Sequence, residues 1–439
     1  MKITRAIFAV LVCACLCATL PALAGDGDAV RIIPVVAKDL QQPGYNPLDT
    51  AVDTAASGAN AFALRLSAAL LKGIGDENFV CSPYSVWMPL AALVNAVDEP
   101  YREKLLAALD AAGIGAEDLN RAASRMLYDL TRQDDKGTAA QYGAEYYHDP
   151  LKIANAIFVS RNATLKRDFA QVFMDAYRGT AMSVDFSTQE AADAVNAWAS
   201  ENTDGMITDI VQGFDPAAVA AIANAIYFSD RWDWEFSPEE TAAGVFHAPA
   251  GDTEAFYMLR EGGLMDYYED DTVQAMPLEF KTGGGLLILL PKDGDAAGLL
   301  ASMTPEDFQN ASQYTSMRPG KLLLPRFSIA GDAMELGDAL SALGLSFLFD
   351  PEAAPLTGNL VEEDIPVWLS GAVHKAAIEV DEKGTTAAAV TVMALAGAAR
   401  PEPAEPFEMI CDRPFAFVLY GRTYDGGNQV LFTGVVHQP

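Results

Sequence analysis

Few residues in this 439-residue chain are arranged to carry out chemistry of their own. Its 4 histidines, His148, His247, His374 and His437, are the side chains that titrate near neutral pH when unperturbed. No Gly-x-Ser-x-Gly turn accompanies them to expose a nucleophile, so a hydrolase built on a nucleophile–base pair has little support. No cluster of Cys, His, Asp or Glu has metal-ligand spacing, and no motif asks for a cofactor or a small-molecule substrate. What stands out instead is a long tract, residues 384–406. Its first half is small, β-tolerant and nearly uncharged, and looks like a strand awaiting a partner. Its second half carries Pro401, Pro403 and Pro406, cannot donate a full ladder, and is expected to be extended and exposed. Loops of this length are usually functional or unstructured.

The tract can be tested as a strand. Side chains alternate in direction. If Thr385 faces a core, so do Ala387, Ala389 and Thr391, and the opposite row is Thr386, Ala388, Val390 and Val392. No charge lies between Gly384 and Ala399, so adding this run to a sheet buries no unpaired ion. Gly384 gives the pivot backbone freedom.

The elements that must hold such a tract are legible around it. Phe62, Leu64, Leu66, Leu70 and Leu71 predict an amphipathic helix ending near Gly73. Ser82-Pro83 predicts a helix cap with proline in the first turn, and residues 101–130 read as helical. Strands are expected at 153–159, 219–228, 321–329, 416–420 and 430–436. An antiparallel set is expected over 255–291, turning at Gly283-Gly284-Gly285. Helices are expected near 166–178 and 190–200. No composition break follows residue 58, so 58–439 is expected to be one mixed α+β domain, with 25–57 as a leader or linker rich in Asp, Gly and Pro. The composition, 51% hydrophobic and 20% charged, is globular. The net charge of −31, from 29 basic and 60 acidic residues, argues against nucleic acid and anionic membranes as partners.

Residues 1–24 read as an export signal. Lys2 and Arg5 precede an apolar stretch from Ile7 to about Leu20, and Ala22-Leu23-Ala24 has the pattern of a cleavage site. A short membrane anchor, or lipid attachment at Cys13, Cys15 or Cys17, are alternatives. Beyond this segment the cysteines are Cys81 and Cys411, both among apolar neighbours and expected to be buried free thiols.

One stretch, Ser370-Gly371-Ala372-Val373-His374-Lys375 through Glu382-Lys383-Gly384-Thr385-Thr386-Ala387-Ala388-Ala389, closely resembles the hinge of the serpins. Asn224-Ala225-Ile226-Tyr227-Phe228 with Trp232, Asn78 with Ser82-Pro83 and Ser85, Leu324-Pro325-Arg326-Phe327 and Asp412-Arg413-Pro414-Phe415 resemble further blocks of that family, in its order. The resemblance implies three β-sheets with about nine helices and an exposed reactive-centre loop, here about 382–406. It implies a secreted, prokaryotic-type, monomeric inhibitor of serine proteases. The protease cleaves the loop and forms a covalent acyl complex, the loop inserts into the large sheet, and deacylation stops. Such a protein is not an enzyme. A non-inhibitory binding protein on the same fold is the alternative; bulky, charged or proline residues between Thr385 and Ala389 would favour it, and there are none. Thr386 stands where inhibitory members often carry Glu, and Thr is small and β-favouring. By the family's spacing from Glu382 the reactive bond is Ala398–Ala399, which suits an elastase-like or subtilisin-like protease. Arg400 is the rival, disfavoured by the following Pro401, with Leu395–Ala396 and Met393–Ala394 as lesser options. Ser82, Ser85, Asn224 and His374 match a shutter cluster beneath the sheet, Trp232 matches the place where the loop first enters, and Glu382 matches a hinge glutamate with no assigned basic partner.

Overall fold

The computed structural model describes residues 7–17, 31–32, 50–131, 151–281, 283–384, 405–423 and 426–439. Nine α-helices lie among them: α1 (Thr50–Leu71), α2 (Pro83–Leu93), α3 (Tyr101–Ala108), α4 (Ala116–Thr131), α5 (Arg167–Tyr177), α6 (Gln189–Asn202), α7 (Ala296–Ser302), α8 (Pro305–Gln313) and α9 (Gly337–Leu340). α1 starts well before the boundary expected at 58. Ala51, Ala55 and Ala59 continue the buried face of Phe62 and Leu66 at helical spacing, and small residues give that face little weight in the sequence. α2 follows its expected cap: the Ser82 side chain accepts from the Ser85 amide, with Pro83 in the first turn.

The large sheet runs β12 (Phe327–Ala330), β14 (Trp368–Val380), β1 (Ile7–Cys17), β6 (Ala218–Phe228), β4 (Leu151–Ser160), β5 (Gly179–Val184) and β2 (Arg31–Ile32), with β13 (Met334–Glu335) on β14. The other strands form the order β15 (Phe407–Ile410), β11 (Ser316–Pro325), β8 (Gly251–Glu269), β9 (Val273–Glu279), β10 (Gly285–Pro291), β16 (Phe415–Arg422), β17 (Asn428–Val436) and β3 (Phe79–Cys81), with β7 (Ala242–Ala248) on β8. The 19-residue β8 joins two sheets, pairing first with β7 and β11 and at its end with β9, so the architecture has three sheets.

β6, β10 and β17 are buried along their whole length, which explains why each is predominantly apolar on both faces rather than alternating, with Asn224 in β6 and Asn428, Gln429 and Thr433 in β17 as buried polar exceptions. Two cores flank the large sheet. Ile222, Ile226, Phe228, Ala376 and Ile378 face the main core with α2 and α4. Phe158, Ala221, Ala223 and Tyr227 pack with Val195 and Trp198 of α6 on the other face.

One element has a place the sequence did not suggest. Ile7–Cys17, expected as the apolar stretch of an export signal, forms β1 in the middle of the large sheet, antiparallel to both β14 and β6. β6 and β14 are therefore parallel to each other, with β1 between them.

Candidate functional site

The chain leaves β14 at Val380 and is held at once by the segment after β6. The Trp232 indole donates to the Asp381 carbonyl at 2.9 Å. The Trp232 amide donates to Lys383 O at 3.1 Å and the Phe236 amide to Glu382 O at 2.8 Å. Trp232 is fully buried, stacked on Phe280 with ring centroids 4.7 Å apart. Its position thus anchors the base of the tract and contributes to the core together.

Glu382 is buried, and its Oε1 accepts from the Arg326 guanidinium at 2.7 Å through Nε, from a second Arg326 nitrogen, and from the Thr241 hydroxyl at 2.5 Å. Burial alone would raise the carboxyl, but the hydrogen bonds from Arg326 and Thr241 outweigh it and hold Glu382 below the ordinary glutamate value. Arg326 is the basic partner left unassigned by sequence. It lies 56 residues away, and the one signal for it was a lone cation between apolar strands in Leu324-Pro325-Arg326-Phe327.

Arg326→Gln is expected to loosen this anchor by about 1–3 kcal/mol at pH 7, the usual consequence of leaving a buried acceptor poorly matched. The Glu382 contribution is fully present above its unfolded value near 4.5 and fades as pH falls through its lower folded value. The gap between wild-type and variant thermal midpoints should therefore close in acid. A gap that persists unchanged at pH 3 would mean that another interaction carries it.

Gly384 closes the hinge. It bridges to Arg231 and back to Asp381. Its φ is +112°, and a Cβ there would sit 2.5 Å from the Asp230 carbonyl oxygen. The pivot thus needs glycine for close approach as well as for freedom. The hinge residues Thr385, Thr386, Ala387, Ala388 and Ala389, and the bond Ala398–Ala399 with its rival Arg400, lie outside the described residues.

Of the four residues expected to cluster beneath the sheet, the structure brings Ser82, Ser85 and His374 together. The Ser82 amide donates to His374 Nε2 at 2.9 Å, so that nitrogen is an acceptor. The Ser82 hydroxyl donates to Leu431 O at 2.8 Å and receives the Ser85 hydroxyl at 3.1 Å. The cap of α2 is thereby tied to β14 and β17 at once. Asn224 stands apart. Its amide donates to Asn155 Oδ1 at 2.8 Å, and Asn155 donates to Tyr177 O at 2.6 Å. Asn224 and His374 lie on strands that β1 separates, and both flank the stretch where the register of β1 shifts, between Val10 and Cys13 against β14 and between Val10 and Ala14 against β6. Asn155 was not singled out by sequence.

Among the described residues no group of His, Cys, Asp and Glu could hold a metal ion. Cys81 and Cys411 are buried free thiols whose ionisation burial pushes up.

A large sheet in which two parallel strands are bridged by one antiparallel strand, with Gly384 held beside the segment after β6, defines an α+β protein of three sheets and nine helices among the described residues. The chain belongs to the serpin family: the family described as Serpin (serine protease inhibitor) matches residues 57–439. It is 29% identical to an uncharacterized serpin-like protein of Thermococcus kodakarensis, over 95% of this chain and 92% of that one. It is 28% identical to alpha-1-antiproteinase of Rattus norvegicus, over 86% and 87%. Among solved structures it is similar to the thermophilic serpin tengpin in the native state, with a TM-score of 0.73 and 24% identity over 93% of this chain and 97% of that one. Arabidopsis AtSerpin1 in its native stressed conformation gives 0.73 and 23% over 88% and 98%. Membership supports a serine protease inhibitor role in general. Serpins mostly inhibit rather than catalyse, and some do not inhibit proteases.

Proposed function

We propose that this chain is an exported, monomeric inhibitor of elastase-like or subtilisin-like serine proteases that works as a suicide substrate. The protease's nucleophile attacks the Ala398 carbonyl, the Ala398–Ala399 bond breaks, and Ala399 leaves as the new amino terminus. In the exported chain, freed of residues 1–24, the tract from Thr385 then takes the place between β14 and β6 and carries the acylated protease with it. Inserting about fourteen residues at ~3.4 Å each moves the protease roughly 45–50 Å. On the order of a dozen ladder hydrogen bonds at ~1 kcal/mol net each gives about 10 kcal/mol. That is comparable to the whole stability of an ordinary domain, so the exposed-loop form is a kinetically trapped state.

The observation that supports this reading is the parallel course of β6 and β14: the place between them takes one antiparallel strand, filled here by Ile7–Cys17, and Gly384 is bridged beside it. The uncharged residues 385–399, small over Thr385–Ala389, suit such a place.

The test is incubation of the chain, freed of residues 1–24, with pancreatic elastase, subtilisin and trypsin. A denaturation-resistant complex with elastase or subtilisin, releasing a peptide that begins at Ala399, is expected. Cleavage without a complex would overturn the trapping mechanism, and a peptide beginning elsewhere would move the bond.

A further inference from the structure

We propose that the N-terminal apolar segment Ile7–Cys17 is a cis-acting competitor for the reactive loop's place in the large sheet: while it remains attached it holds the inhibitor disarmed, and its removal arms it. This deepens the inhibitory reading above and rests on it. The argument is one of register. Gly384 is bridged antiparallel to Arg231 on one flank and to Asp381 on the other. In an antiparallel pair each step forward along one strand is a step back along its neighbour. Continued from Gly384, the tract would set Ala387 opposite Phe228, and Ala388 opposite Tyr227 and Ala377. Those places are taken. Ile7 faces Phe228, and Phe8 faces both Tyr227 and Ala377.

The far end agrees. Gly397 would fall opposite Ala218 and Trp368, and Cys17 faces both. The 11-residue strand therefore covers the same run as 387–397, in the same direction, with its irregularities cancelling between the two ends. Both segments are free of charge, so either can be buried there without an unpaired ion. A single slot cannot hold two strands. With Ile7–Cys17 in place, a cleaved loop has no ladder to join, and the acyl-enzyme is left to hydrolyse.

The test uses the full 439-residue chain in three forms. The first is wild type. The second is Ala14→Pro, which removes a ladder donor from the middle of β1 and should expel the segment without touching the body. The third is Gly371→Cys, whose backbone lies opposite Cys15 and where an added Cβ meets nothing within 4 Å. Mild oxidation of Gly371→Cys should give a disulfide between Cys15 and the introduced thiol, identifiable by mass spectrometry, without any protease present. Wild type should trap elastase or subtilisin at least tenfold less efficiently than Ala14→Pro, and should melt higher. The chain recovered after export and leader removal should match Ala14→Pro. Absence of the cross-link, or equal trapping by wild type and Ala14→Pro, overturns the proposal. A cross-link that forms while no form traps any protease supports the strand's place and defeats the inhibitory reading instead.

Discussion

Ala387→Arg, made in the chain lacking residues 1–24, is expected to turn the inhibitor into a substrate. Counted from Gly384, position 387 comes to lie between Phe228 and Ile378, which are 3% and 1% exposed and belong to the main core. A guanidinium delivered there has no carboxylate opposite it, and burying an unpaired cation costs several kcal/mol. Slowing insertion by about 2.7 kcal/mol is a hundredfold. In the proposed mechanism trapping and deacylation compete from the same acyl-enzyme, so most encounters should then end in cleaved inhibitor and free protease. Ala387→Thr, small and β-favouring, should keep trapping. The measurement is stoichiometry of inhibition with the gel-stable complex. An arginine variant that traps at the wild-type ratio would show that residue 387 never enters the core.

Ala398→Arg is expected to redirect the inhibitor toward trypsin-like proteases. A shallow pocket suits alanine, whereas a deep pocket with a buried carboxylate is left with an unsatisfied charge by it. Sites built around a polar partner discriminate by roughly 10⁴–10⁵. Association with trypsin should rise by more than a hundredfold and that with elastase should fall by a similar factor. The peptide released by trypsin should still begin at Ala399. Release at Pro401 instead would assign the specificity to Arg400.

Local signals were readable and distant ones were not. Ser82-Pro83 marked the start of α2 because a cap is encoded within a single turn. Gly283 and Gly284 marked the hairpin between β9 and β10 because both need positive φ, +98° and +75°. Gly384 was equally plain, and its φ is +112°. Arg326 with Glu382, and Trp232 with Asp381, were hidden because the partners lie 56 and 149 residues apart. Asn224 was grouped with His374, yet Asn155 holds it, since the strand between them decides which buried amide meets which. That strand was itself ambiguous in principle. Hydropathy gives the same reading for an uncharged run bound for the translocation machinery and one bound for the middle of a sheet.

The two sequestered thiols have a practical consequence. Once residues 1–24 are gone, Cys81 and Cys411 are the only cysteines left, and neither is accessible or ionised at neutral pH. A maleimide dye should therefore ignore the intact molecule and label it only when β3 or the segment after β15 comes loose. The protein thus carries a built-in reporter of its own unfolding, and alkylation rates can rank variants without any added probe.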